Sequence, residues 1–195
     1  MQNALFKVCI FIFFHIGICL HGQQKFFLSQ TYNNSISEWE IYPDTLKNPD
    51  DDYLTAIGTI QVRWPFEKDN YSEWQIRFGD KTGSIRQRWN NKSNEWEMRL
   101  GESYLYLSPK WPNQMDASDD WLIQFQDKNY SLELSRENGF KIYTLSDLES
   151  TYAEIYNEFF MEFTDFICEV NQSTPEELVL SMLFLSMYYT HLTPR

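Results

Sequence analysis

Histidine and cysteine are scarce in this chain, with three of each among 195 residues. Cys9, His15, Cys19 and His21 all lie in an apolar leader, which leaves His191 and Cys168 for the body of the protein. That scarcity excludes a histidine-based metal centre and gives a Ser-His-Asp triad almost nothing to work with. Once the leader is set aside it also excludes an intrachain disulfide. His191 reads as a helix-end residue beside the last carbonyls, and Cys168 as a small buried hydrophobe. No cofactor and no metal are expected. Base is scarce too. Lys and Arg number 16 against 28 Asp and Glu, a net charge of −12 that argues against nucleic acid, or an anionic membrane, as a partner held by bulk charge. Glycine numbers seven and no stretch is of low complexity, so the chain reads as one compact acidic domain behind a short leader.

Residues 6–20 run apolar with Lys7 at their edge, and Gly22 leads into Gln23 and Gln24. This is the layout of a secretory signal peptide over residues 1–22, cleaved near Gly22. An uncleaved membrane anchor is the alternative, disfavoured because the run is short for a span. The protein is therefore expected to be exported (periplasmic, cell-surface or secreted), touching a membrane only through its leader if that is retained. Sequons at Asn33, Asn70, Asn91, Asn129 and Asn171 fall at loop or strand-end positions, usable in a eukaryotic secretory pathway.

Residues 178–192 carry no formal charge and are apolar nearly all round. Such a helix must be surrounded by protein or lipid, and its length is short of the roughly 20 residues a bilayer needs. It reads as the core around which a sheet is wrapped. Thr174, Pro175 and Glu177 form a capping-box start, and Thr193 with Pro194 stops the helix, giving 175–192.

Before it, period-two alternation predicts strand after strand from residue 53 to 143, with strand candidates at 25–29 and 37–42. A unit repeats three times: Arg63-Trp64 then Glu73-Trp74 with Ile76 and Phe78; Arg88-Trp89 then Glu95-Trp96 with Met98 and Leu100; Lys110-Trp111 then Asp120-Trp121 with Ile123 and Phe125. A strand ending in base-Trp, a polar loop, and a strand opening acid-Trp describe a meander of hairpins. Tight turns are expected at 80–83, 101–102 and 127–129, with the loops 65–73, 90–94 and 112–119 at the opposite end. Trp64, Trp74, Trp89, Trp96, Trp111 and Trp121 would then gather along one rim.

That rim is the candidate ligand site. Exposed indoles beside Glu67, Asp69, Glu73, Glu95, Asp116, Asp119 and Asp120 would stack on sugar rings while carboxylates accept hydroxyl hydrogen bonds. Against it, cross-strand indole pairs also serve simply to close the end of a core. A second set, Arg63, Arg77, Arg86, Arg88 and Arg99, falls largely on outward positions and is a candidate anion-binding stripe; outward Arg beside outward Glu on a solvated sheet is the alternative.

Residues 146–149 carry a second capping-box pattern. Tyr152, Ile155, Tyr156, Phe159, Phe160 and Phe163 then follow helical spacing, with Glu154, Glu158 and Glu162 opposite. An amphipathic helix is expected over 148–163, with 164–170 open between helix and strand.

A strand meander with repeated Trp-x-apolar-x-apolar units, closed by the uncharged stretch from Pro175 to Tyr189, resembles the tubby C-terminal-like superfamily, which includes phospholipid scramblases and LURP-one-related proteins. The likeness covers roughly residues 53–192 and is one of pattern. It implies a closed antiparallel barrel with the apolar helix threaded through its middle, from which the helix at 148–163 departs. The basic patch on which tubby proteins bind phosphoinositides has no match here, so no site is carried over. The fold class is thus α+β, mainly antiparallel β: a meander closing into a barrel-like sheet around an apolar C-terminal helix, with an amphipathic helix before it. Residues 23–52 supply N-terminal strands and a loop, and 53–192 a single antiparallel β domain. The expected function is non-enzymatic surface binding of a protein or glycan ligand. The alternatives are a carbohydrate-binding or carbohydrate-cleaving domain using the Trp and carboxylate rim, and a carrier of an apolar ligand.

Overall fold

The computed structural model describes residues 23–32, 35–44, 55–67, 70–89, 92–111, 119–158 and 164–192. The expected leader over 1–22, the helix stop at Thr193 and Pro194, and the carboxylates Asp69 and Asp116 lie outside them. The strands are β1 (Gln23–Tyr32), β2 (Ser35–Pro43), β3 (Gly58–Val62), β4 (Glu73–Phe78), β5 (Lys81–Trp89), β6 (Lys92–Leu100), β7 (Ser103–Pro109), β8 (Asp120–Phe125), β9 (Lys128–Glu137), β10 (Phe140–Ser146), β11 (Thr151–Asn157) and β12 (Asp165–Asn171), followed by the helix α1 (Glu176–Leu192). Each strand pairs antiparallel with its neighbours in sequence, and β1 pairs with β12 to close the barrel. The early strands β1 and β2 are therefore part of the same wall as the rest.

Alternation decides which side chains point in. The triplets Trp74, Ile76, Phe78; Trp96, Met98, Leu100; and Trp121, Ile123, Phe125 all face the interior and are buried. Between them Gln75, Arg77, Arg99 and Gln124 are exposed. Apolar inside and charged outside is the inverse of the wall a lipid-embedded barrel presents. Among the described residues no helix is long and apolar enough to cross a membrane.

The repeat extends further round the wall than three copies. Glu38, Trp39 and Ile41 make a fourth acid-Trp-x-apolar unit on β2, with Trp39 and Ile41 fully buried. On β10 and β12 the corresponding first buried inward positions hold Tyr143 and Phe166. Each of the six even-numbered strands thus places a large aromatic at its first buried inward position. This belt encloses the second half of α1: Trp74 and Trp96 meet Phe184 at 5.7 and 5.0 Å, Trp121 meets Tyr189 at 4.4 Å, and Trp39 meets His191 at 5.3 Å between ring centroids.

The helix is about 25 Å long at 1.5 Å per residue, long enough to fill the barrel from end to end. Residues 178–190 are all buried. Its polar groups are satisfied inside the wall, as burial requires. Ser181 Oγ donates to Leu178 O at 2.8 Å, Ser186 Oγ to Met182 O, and Thr190 Oγ1 shares a hydrogen bond with the Tyr143 hydroxyl at 3.1 Å. The Trp96 indole donates to Tyr189 Oη at 3.2 Å. The helix starts where expected, but the capping box is spent differently. Thr174 Oγ1 donates to Tyr152 O, and Glu177 accepts from Ser103 Oγ, so both side chains tie the helix start to the wall.

The amphipathic helix expected over 148–163 is not formed. Asp147 Oδ1 accepts from the backbone N–H groups of Glu149 and Ser150 at 2.8 and 2.9 Å, turning the chain directly into β11. Ala153, Ile155 and Asn157 then face inward, Tyr156 lies half-buried on the outer face, and Tyr152 packs against the core on Tyr130. Phe166, Cys168 and Val170 face inward from β12. Residues 159–163 lie outside the described set. Aromatic residues on both faces of one strand imitate a helical stripe, and strand propensity prevails where the barrel needs its last two staves.

Turns cluster at one end. They sit at Gly79-Asp80, Gly101-Glu102 and Gln126-Asp127, one to three residues ahead of two of the expected positions. Each has positive φ at its first central residue, the II′ requirement in a two-residue hairpin. Gly83, expected in a turn, is instead within β5, where an added Cβ would lie 2.0 Å from the Arg99 carbonyl oxygen on β6. Gly83→Ala is expected to destabilise the fold by roughly 1–3 kcal/mol through forced separation of these strands. Thermal unfolding checks this, and an unchanged melting temperature would refute the close approach.

Candidate functional site

The six tryptophans expected on one rim divide into two groups. Trp74, Trp96 and Trp121 are fully buried in the belt and are unavailable to a ligand, a correction that follows from their parity with the inward Ile76, Met98 and Ile123. Trp64, Trp89 and Trp111 are 45, 50 and 50 % exposed. Each stands two residues beyond an inward position, Val62, Gln87 or Pro109, at or past the end of its strand. The pairing of β5 with β6 also shifts between Gln87 and Trp89. The wall has ended there, so the indole stays in solvent.

These three indoles mark the end of the barrel opposite the tight turns. They lie on alternate strands, so neighbours are about 10 Å apart across two strand spacings. Phe66, fully exposed, and Tyr32 share that end. A cation sits over each indole: Arg63 at 5.1 Å from Trp64, Arg88 at 5.5 Å from Trp89, and Lys110 at 6.0 Å from Trp111. Carboxylates hold the set in place. Arg63 pairs with Glu73, Lys110 with Glu133 at 2.6 Å, and the Trp89 indole donates to Glu95 Oε2 at 3.0 Å. The Lys110 ammonium, more than the Ser131 hydroxyl beside it, holds the Glu133 carboxyl below its ordinary range.

The five arginines fall on one outer face but do not form a single stripe. Arg86 pairs with Glu97 at 2.8 Å, and Arg88 stacks on Tyr106 as well as on Trp89. Arg63, Arg77 and Arg99 line a trough of 860 Å³ across β2 to β6. Sequence reasoning missed the trough's other residues. Glu38 and Glu40 form one wall, and Thr59, Gln61, Gln75, Thr82 and Ser84 lie between the walls. Only strand register reveals that they are neighbours, because the residues run from position 38 to position 99.

Cys168 is buried, and burial pushes its thiol up, so it stays protonated and unreactive. Among the described residues no three His, Cys, Asp or Glu side chains converge in a way that could hold a metal ion. No family model, no curated protein and no solved structure matches the chain.

Proposed function

We propose that this is an exported, non-enzymatic protein on a tubby-like barrel that binds a partner protein or glycan at the rim formed by Trp64, Trp89 and Trp111. One observation carries the reading: the barrel is filled by its own helix while three half-exposed indoles stand together at one end. A filled barrel leaves its outside for binding, and exposed aromatics grouped at one end mark interaction sites on soluble proteins. The superfamily resemblance implies a closed antiparallel barrel around an apolar terminal helix, and the chain has that coarse architecture.

A glycan is favoured among the ligands because each indole comes with a cation and a nearby carboxylate, supplying a stacking face and hydrogen-bonding groups together.

The test is tryptophan emission of the wild type and of the W64A/W89A/W111A variant, titrated with a soluble quencher and with a panel of oligosaccharides. The wild type is expected to show a quenchable fraction that the variant lacks, and saturable changes with at least one glycan that the variant loses. Both proteins should melt at the same temperature within a few degrees, since the substituted side chains are half in water. Glycan binding that survives in the variant would overturn the rim as the site.

A further inference from the structure

We propose that the outer trough across β2 to β6 is a second binding site, specific for an acidic oligosaccharide in which one sugar carboxylate docks on Arg77. It adjoins the tryptophan rim at Arg63 but does not rest on that reading.

Two cross-strand rows build the trough. In one, Glu40 pairs with Thr59, Thr59 with Arg77, and Arg77 with Thr82. In the other, Glu38 pairs with Gln61, Gln61 with Gln75, Gln75 with Ser84, and Ser84 with Arg99. Thr59 on β3 and Thr82 and Ser84 on β5 are short beside Glu38 and Glu40 on β2, Arg77 on β4 and Arg99 on β6, which produces the concavity. Its 860 Å³ is within the range of small-molecule sites.

The chemistry differs from one wall to the other. Arg77 is exposed and makes no side-chain hydrogen bond or ion pair among the described residues. Its planar fork is suited to a carboxylate, and the flanking Thr59 and Thr82 add a hydroxyl on each side. Arg99 is held nearby: its Nε donates to Gly101 O at 3.1 Å, and the guanidinium lies 5.3 Å from the Tyr104 ring centroid. In the middle, Gln61 Nε2 donates to Gln75 Oε1 at 3.2 Å, which leaves Gln61 Oε1 and the Gln75 amide N–H groups as an acceptor and a donor for ligand hydroxyls. Glu38 and Glu40 on the far wall accept from hydroxyls and repel anions. A phosphate dianion is compact and would bring its second charge against the guanidinium's neighbours and towards Glu38 and Glu40. A uronate chain spaces its carboxylates one to a ring, so that one docks on Arg77 while its hydroxyls lie across the amides and face the two carboxylates.

The experiment is calorimetric titration of the full protein with trigalacturonate, maltotriose and inorganic phosphate as probes, at low and at physiological salt. Trigalacturonate is expected to bind saturably and at least tenfold more tightly than either other probe, and more weakly as salt rises. Arg77→Gln should weaken it at least tenfold and Arg99→Gln less, with melting temperatures unchanged because both side chains face solvent. W64A/W89A/W111A should bind it like the wild type. Absence of saturable binding, equal binding by Arg77→Gln, or phosphate binding as tightly as trigalacturonate would each overturn the proposal. Loss of trigalacturonate binding in W64A/W89A/W111A alone would place the sugar at the rim and also overturn it.

Discussion

Replacing Phe184 by alanine is expected to destabilise the folded protein by about 3–5 kcal/mol. The side chain is fully buried at the middle of α1 and touches Trp74, Trp96 and Tyr188, with ring centroids 5.7, 5.0 and 5.4 Å away. Two costs add. The ring's transfer from water is lost, and the cavity left behind cannot collapse, because the belt residues around it are fixed by a closed hydrogen-bonded wall. Aromatic pairing adds about 0.5–1.5 kcal/mol per contact beyond burial. For a chain of this size the melting temperature should fall by roughly 6–20 °C. A truncation ending at residue 173 goes further. It removes the helix against which every inward side chain of the wall packs, and it is expected to abolish cooperative unfolding altogether. Phe184→Ala melting like the wild type, or a truncated chain with a sharp transition, would mean that the helix is not the core.

Much of this architecture was legible in the sequence, for a specific reason. The uncharged stretch 178–192 is short for a bilayer span and so needs protein around it, and the strands before it carry period-two alternation. The acid-Trp repeat even gives the register, since Trp74, Ile76 and Phe78 share one parity. That same parity should have placed Trp74, Trp96 and Trp121 inside, because a tryptophan in step with buried aliphatics shares their fate. The rim tryptophans have inward parity too. They escape burial only because the wall stops beneath them, a matter of strand ends that local pattern does not disclose.

The rest was hidden for other reasons. On β11, Tyr152 packs on the core edge and Tyr156 on the outer face, both half-buried, and their hydroxyls donate to Asp147 and Glu169. Apolar bulk on both faces erased the alternation and left a helix-like spacing. On β10 and β12 the belt uses Tyr143 and Phe166, so a search for tryptophan stops short of the full ring. The trough needs residues from five strands, and no linear pattern joins Glu38 to Arg99. Distant pairing in a closed sheet, more than local propensity, decides what the outer surface can bind.

The same filled interior sets the behaviour of the protein in base. Burial is the main cause that pushes Tyr143 and Tyr188 up to about 12, and burial raises Tyr189 further still. An unfolded tyrosine titrates near 10. Between these values the unfolded chain loses protons that the folded chain keeps. The stabilisation is therefore fully present below about pH 10 and disappears as pH rises through the folded values. Two units on a buried group such as Tyr143, 1 % exposed, correspond to about 3 kcal/mol. Three such groups around one helix are enough to unfold a domain of ordinary stability. Tyr42, Tyr152 and Tyr156 also rise to about 12, the first two chiefly through hydrogen bonds to Glu40 and Asp147 and the third through burial ahead of its bond to Glu169. Lying nearer water, they add less. An alkaline titration followed by tyrosinate absorbance and circular dichroism should show a fraction of the tyrosinate signal that rises only with the loss of circular dichroism, in one steep step between pH 10 and 12. Tyr143→Phe should move that step to higher pH, while losing about 1 kcal/mol at neutrality with its bond to Thr190. Complete tyrosine ionisation with the fold intact would show that these hydroxyls reach solvent and that the helix does not seal the barrel.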